Sequence, residues 1–565
     1  MAEPTIDPIT LSVLKGRLEQ IADEMDATLF RSAFNPIIAE AHDASHGIYH
    51  AATGETLIQG KSGLPIFVGA MAFAVKLVID RYGSDLHEGD VFIFNDPYQG
   101  GTHLSDVKLV QPFYYRGQLV CHLASVGHWH DVGGNVAGNY NPVASECFQE
   151  GILIPPVRLF SRGELREDII DILRANSRLP ESAYGDLNGQ INALELGCRR
   201  LTALIDDYGL ELLRAAFKGL WANAATLMRT RIAALPDGLY SAEDFMDNDG
   251  TTDVPLRIAL DIRIKGERMS WDFSRCAPAC SGPINISRST TIAGCYVAIK
   301  HLFPGVPANA GLLEPIDFDV PKGSILDARW PRPVGGYTET VLRIIDVVFQ
   351  AFGEIDQTLT TACAYGTINA LSLSGKREDG KPWVMFSFFG GGHGAHAEGD
   401  GLNHGNAPIS TATIPPLEVL ESLYPIRFTT WALRPDSGGA GCHRGGLGAI
   451  YEMEILAPDA TLSLFGERGR FRPPGVAGGA PGALNRFYFE TDEGFKEPPM
   501  ASKILGVRLK RGQRLRLETP GGGGFGDASL RNPEAIRRDR YLGYTTDREV
   551  GSETPAARLS QSPGA

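Results

Sequence analysis

The chain has 565 residues and a mass of 61.0 kDa, of which 43% are hydrophobic and 21% charged. That is room for about three or four domains and excludes a disordered or fibrous protein. A net charge of −14 argues against a nucleic-acid binder, and 66 glycines without a G-X-Y period exclude collagen while signalling many tight turns and close backbone approaches.

The opening MAEPTIDPIT has neither a basic nor an apolar region, and no later stretch reaches about 18 apolar residues. Neither a signal peptide nor a membrane span is expected. Eight scattered cysteines read as reduced thiols in a cytoplasmic protein. Only Cys276 and Cys280 lie close together, a weak zinc signal.

Leu11, Leu14, Leu18, Ile21, Met25 and Leu29 recur at three and four, which predicts a first helix with Pro8 near its start. A helical stretch over 65–83 and strand-like runs at 91–95, 107–115 and 118–126 make residues 1–160 an α/β part. Residues 161–240 read as a helical segment of two or three long helices, stopped by Pro236, Asp237 and Gly238. An α+β part follows at 241–355, with PLRIALDIRIKG and RMSWDF as a hairpin and helices over 288–302 and 339–352. Residues 356–550 are β-rich and Gly-rich, in the manner of a sandwich or barrel, with a last helix at 532–541. Residues 551–565 read as a flexible tail. The expected fold class is α+β, large and multi-domain.

The densest ionisable cluster is NDPYQGGTHLSDV (95–107) followed by CHLASVGHWHDVGG (121–134), with His42, Asp43 and His46 upstream. His103 and Asp106, three apart in a Gly-rich turn, can point one way. In a strand, His128 and His130 share a face, with His122 six positions back. Two histidines with one or two carboxylates suit Zn²⁺, Mn²⁺ or Fe²⁺ and leave a position open for water. The competing reading is a set of separate capping and turn residues, and Asn95-Asp96-Pro97 fits an Asx turn in either case.

A glycine run at 389–401 carries His393, His396, Glu398 and Asp400 and reads as a loop closing an active site, or as a turn cluster. Runs at 436–448 and 519–527 read as tight turns with close packing. None matches a phosphate loop, and no G-x-S-x-G elbow occurs.

At these residues the chain resembles the hydantoinase B/oxoprolinase family. The likeness runs over about residues 6–545, in ordered motifs that include AHDASHGIYH (41–50), NDPYQGGTHLSDV (95–107), ETVLRIIDVV (339–348), GGGHGAHAEGDG (390–401), RPDSGGAGCHRGGLG (434–448), GERGRFRPPGVAGGAPG (466–482) and ETPGGGGFGD (518–527). The resemblance implies the B (β) subunit of an ATP-dependent cyclic-amide hydrolase of hydantoinase, 5-oxoprolinase or lactamase type. Its partner is a larger A subunit of the actin-like ATPase type, in a heterotetramer. The partner uses the ATP and phosphorylates the amide, and the intermediate is hydrolysed here. The resemblance also implies a divalent metal, Zn or Mn, on Asp43, His103, Asp106 and His128. His130 and Asp131 are the candidates for general base or ligand orientation, and Asp96 is a reserve ligand. His393 stands where relatives often carry Trp, which implies a changed substrate contact. The alternative activity is that of an acetone or acetophenone carboxylase subunit.

Overall fold

The computed structural model describes residues 6–546. The expected tail at 551–565 lies outside them. Among the described residues, four sheets and long helices form the mixed α and β architecture expected from the sequence, and no helix is long and apolar enough to cross a membrane.

The N-terminal sheet has seven strands in the order Thr56–Gln59, Ala44–His50, Gln118–His128, Asp106–Tyr115, Val91–Phe94, Val157–Ser161, Glu164–Leu165. Every pairing is antiparallel. Helices cover both faces. On one, Leu109, Leu123 and Ile48 pack with Leu18 and Met25 of helix Pro8–Ser32 and Leu194 of helix Pro180–Tyr208. On the other, Val110, Ala124 and Phe92 pack with Phe67 and Met71 of helix Pro65–Tyr82. Burial on both faces explains why these strands read as unbroken apolar runs rather than alternating ones. The first helix starts as its sequence dictates: the Asp7 carboxylate accepts from Ile9 N and Thr10 N at 3.0 Å, and Pro8 opens the first turn.

The helical segment resolves into Glu167–Ala175, Pro180–Tyr208 and Leu210–Ala233. Beyond it, strands Leu256–Lys265 and Arg268–Asp272 form the expected antiparallel pair inside a four-stranded sheet. Helices Arg288–Leu302 and Tyr337–Ile355 also stand where their periodicity puts them. The second is buried along nearly its whole length. It carries Arg343 and Asp346 into a closed ionic cluster. Arg468 Nη2 lies 2.8 Å from Asp244 Oδ2 and also bonds Asp346. Arg343 Nη1 lies 3.4 Å from Asp244 and 3.3 Å from Asp346. Both guanidiniums are fully buried. The cluster joins strand Gly238–Met246, this helix and the GERGR segment.

The C-terminal β part is a sandwich. One sheet is ordered Pro382–Ser387, Ala370–Lys376, Asp459–Phe465, Lys503–Lys510. The other is Ile426–Leu433, Ala449–Ile455, Arg514–Glu518, Arg486–Thr491, Gly494–Lys496. Leu371, Met385 and Leu462 of the first meet Tyr451, Met453 and Leu515 of the second in one core.

The glycine runs show the close packing expected of them more than the turns. Segments 389–401, 436–448, 473–482 and 519–526 lie side by side, bonded backbone to backbone: Gly446 N to His393 O, Gly522 N to Gly446 O, Gly524 N to Ala480 O. Close approach, not turning, is what requires glycine here. A Cβ on Gly394 would sit 1.7 Å from Ala362 O, and one on Gly522 would sit 1.9 Å from His393 O. Gly394→Ala is therefore expected to destabilise by at least the ~1–3 kcal/mol of an overpacked core. Gly305→Ala, with nothing within 4 Å, is expected to stay within about 0.5 kcal/mol of wild type. Thermal melts of the two variants side by side check this. Equal midpoints would contradict the close-packing account.

Candidate metal centre

The site forms where the sheet register gathers three loops. Asp106 opens one central strand, His128 closes its neighbour, and the two are directly paired. His103 reaches them from the loop after the 97–99 turn, where Gly100 takes φ 104°. Asp43 precedes strand Ala44–His50, and its carbonyl accepts from His128 N at 3.1 Å. His42 before it sits at φ 61°, a strained value for a side-chain-bearing residue. Its ring is stacked on Phe30 at 4.3 Å.

Asp106 is the hub. His103 Nδ1 lies 2.7 Å from its Oδ2 and His128 Nδ1 lies 3.3 Å from its Oδ1. Thr102 Oγ1 donates to the same carboxylate, and the fully buried Lys108 ammonium donates to Asp106 O at 3.1 Å and Thr102 Oγ1 at 3.4 Å. Burial works to raise the Asp106 pKa, but the His103 and His128 imidazoles and Lys108 hold it well below the usual carboxylate range. Burial pulls Lys108 down to about 8 against the carboxylates of Asp106 and Asp96. Asp43 lacks such partners: burial pushes it up to about 7, with His128 opposing and Asp106 adding to the rise.

His103, Asp106 and His128 each offer one ligand atom, all within 4.8 Å of one another, the one such group among the described residues. His103 Nε2 and Asp43 Oδ1 are buried without a hydrogen-bond partner. Two imidazoles and a carboxylate, with a further carboxylate oxygen and an imidazole nitrogen unpartnered beside them, fit a divalent Zn- or Mn-type ion. Asp43 and His128 also line an adjoining cavity of about 30 Å³, together with Tyr140 and Tyr337. The Tyr337 ring lies 4.8 Å from that of His103, and Phe386 lies 5.3 Å from His128.

The other candidates have different surroundings. His130 is buried, and burial lowers its pKa to about 4 despite the Asp131 charge, so it is neutral at pH 7. Asp131 is fully engaged: its carboxylate accepts from Gly133 N, Gly138 N and Arg178 N and pairs with the Arg178 guanidinium at 2.9 Å. Asp96 caps its turn, accepting from Tyr98 N at 2.9 Å and Gln99 Nε2 at 2.6 Å, as an Asx turn requires. His122 shares the strand face of His128, but six residues put it about 20 Å away. His393 lies in the glycine bundle, bonded to Asn406 O. His46 joins Asp26 at 2.8 Å and Ser125 at 2.9 Å. That order matches a hydrolytic triad, but all three residues are fully buried, beyond the reach of substrate.

Sequence reasoning passed over Thr102, Lys108, Tyr140 and Tyr337. Lys108 left one signal: a lone lysine inside the apolar strand DVKLVQPFYY.

The chain has relatives of known name. A family model described as hydantoinase B/oxoprolinase matches residues 7–528. The caprolactamase subunit beta of Pseudomonas jessenii is 32% identical over 94% of this chain and 92% of its own length. A crystal structure of ATP-dependent caprolactamase from Pseudomonas jessenii superposes with TM-score 0.89 at 29% identity, covering 99% of both chains. The nucleotide-free structure of acetone carboxylase also superposes at 0.89, over 96% of this chain and 78% of that one, but at 21% identity it shares the fold alone. With the family model spanning nearly the whole sequence and the motif-bearing loops converging on one buried cluster, the chain belongs to the hydantoinase B/oxoprolinase family.

Proposed function

We propose that this chain is the ring-opening subunit of an ATP-dependent cyclic-amide hydrolase. It works with an A subunit of the actin-like ATPase type in a heterotetramer. The observation that carries the reading is the meeting of His103, Asp106 and His128 beside Asp43, with His103 Nε2 and Asp43 Oδ1 buried and unpartnered. His103, Asp106 and His128 would hold a divalent Zn or Mn ion, with Asp43 as the fourth ligand. Such an ion supplies Lewis-acid polarisation and lowers the pKa of bound water.

The chain's own residues do the rest. Asp106 orients both imidazoles, while Thr102 and Lys108 fix Asp106. Tyr140, Tyr337 and Phe386 wall the cavity and exclude bulk water. His130, two residues beyond His128 and buried with its Nε2 unpartnered, is the proton acceptor in this reading. Asp131 anchors the following loop through Arg178 rather than moving protons. A cyclic amide resists hydrolysis through resonance and the ease of reclosure, and phosphorylation of its oxygen by the partner removes the first obstacle. Eight cysteines, none in a disulfide, fit a cytoplasmic enzyme.

The chain mixed with its ATPase partner, Mg-ATP, Zn²⁺ or Mn²⁺ and a panel of lactams and hydantoins is expected to release the open-chain amino acid only when all components are present. Ring opening without ATP would overturn the proposal, as would incorporation of labelled bicarbonate into a ketone in place of ring opening.

A further inference from the structure

We infer that Gln190 is a positioning residue for the His103, Asp106 and His128 cluster, holding together the two strand ends that carry Asp106 and His128. The inference deepens the metal reading above and rests on it. Asp106 and His128 form one rung of the ladder between their strands, and Val107 and Gly127 form the next. Gln190, fully buried on helix Pro180–Tyr208, packs against that second rung. Its Nε2 donates to Val107 O at 3.1 Å, and its Oε1 accepts from the Trp129 indole Nε1 at 3.0 Å. One amide thus ties the residue after Asp106 to the residue after His128. Gly127 makes room for it: a Cβ there would lie 3.5 Å from Gln190 Cδ and 3.1 Å from Ile38 Cδ1.

The bridge requires an amide. An indole N–H can only donate and a backbone carbonyl can only accept, so the side chain between them must do both. Methionine does neither and would leave both groups unpaired in a dry interior. Gln190 Nε2 also reaches Ser125 Oγ at 3.3 Å. From there the row continues through His46, 2.9 Å from Ser125 Oγ, to Asp26, 2.8 Å from His46 Nδ1. The buried Ser125, His46 and Asp26 therefore hold the amide in place from helix Pro8–Ser32, a duty that needs no contact with substrate. One turn earlier on the helix of Gln190, Asp186 Oδ1 accepts from Phe34 N at 2.8 Å and Asn35 N at 3.1 Å, and Asn35 Nδ2 donates to His128 O at 2.8 Å. The helix thus secures His128 from both sides. A metal site works only when its ligand atoms are held to within about 0.5 Å, which makes such outside supports part of the site.

The test uses the full-length chain, prepared metal-free and titrated with Co²⁺, whose visible absorption reports both affinity and ligand geometry. Gln190→Met is expected to weaken Co²⁺ binding about 10–100-fold, the range for a lost outer-shell partner, and to change the absorption bands. Leu201→Ala, a core truncation about three turns further along the same helix, is expected to lower the melting temperature yet leave binding within about twofold of wild type. Trp129→Phe is expected to weaken binding less than Gln190→Met, and to add little on top of it, because the two residues share one bond. Equal binding by Gln190→Met and wild type overturns the inference, as does an equal loss in Leu201→Ala. Hydrogen–deuterium exchange of the metal-free chains gives a reading that needs no ion. Faster exchange at 102–108 and 126–131 is expected in Gln190→Met and not in Leu201→Ala. A wild type that binds no Co²⁺, Zn²⁺ or Mn²⁺ counts against the metal reading, and unchanged exchange in Gln190→Met separately overturns the positioning role. Where Gln190→Met does not fold, Trp129→Phe is judged by the same two measurements.

Discussion

Replacing His103 or His128 by alanine is expected to remove the divalent ion from the purified chain, from about one per chain in the wild type to a trace. Each imidazole contributes one of three convergent ligand atoms, and each is oriented by Asp106. Losing an outer-shell partner of a metal ligand costs 10–100-fold in affinity or activity. Losing the ligand itself is expected to exceed about 100-fold in both. Elemental analysis after dialysis, beside a circular dichroism spectrum showing the fold retained, separates the effect from unfolding. Thr102→Val, which removes only a donor to Asp106, is expected to fall inside the 10–100-fold range. A wild-type chain that takes up no Zn²⁺ or Mn²⁺ on reconstitution would remove the metal from the account altogether.

The second large effect is on stability. Arg468 and Arg343 face Asp244 and Asp346 with no access to water. Burial already pushes Asp346 up to about 8, with Arg343 opposing the rise and Asp244 adding to it. Arg468→Met removes one compensating charge and leaves the carboxylates behind, which is expected to cost about 3–5 kcal/mol. The double variant Arg468→Met/Asp346→Leu removes both members of a pair and is expected to recover much of that loss, since well-packed apolar replacements of buried ion pairs are often near neutral. Soluble yield and thermal midpoint of the single and double variants measure it. Strictly additive losses would show that the two residues act independently.

Much of the scaffold was legible because single elements advertise themselves. Helix Arg288–Leu302 and the Leu256–Lys265/Arg268–Asp272 pair stand where period and turn residues place them. The sidedness of the N-terminal sheet was not legible, because strands covered on both faces lose the alternation that marks a face. At the site, His103 and Asp106 were readable as a local pair because short spacings survive folding, and His128 was readable as a residue on a strand that could lie beside them. The duty of Asp131 was not readable. Its partner Arg178 lies 47 residues downstream in another element, and nothing near Asp131 announces an ion pair. Tyr337 reaches His103 from more than 200 positions away, a neighbour that only tertiary packing creates. The glycine runs were readable as turns and close packing together, and only the neighbouring chain shows that close approach dominates.

That glycine bundle also sets an order of assembly. Asn406 and Ile409 wall the cavity, and their segment is fastened through Gly405 to Gly391, through His404 to Leu447, and through Gly392 to Pro520. On the ribosome, the proposed ligands Asp43, His103, Asp106 and His128 emerge early, yet the cavity wall at 406–409 lacks its last backbone partners until residues 519–526 have been made. Domains usually close one by one during synthesis. Here the start of the chain must wait for nearly the end, so a nascent or truncated chain can carry all four proposed ligands and still have no finished cavity.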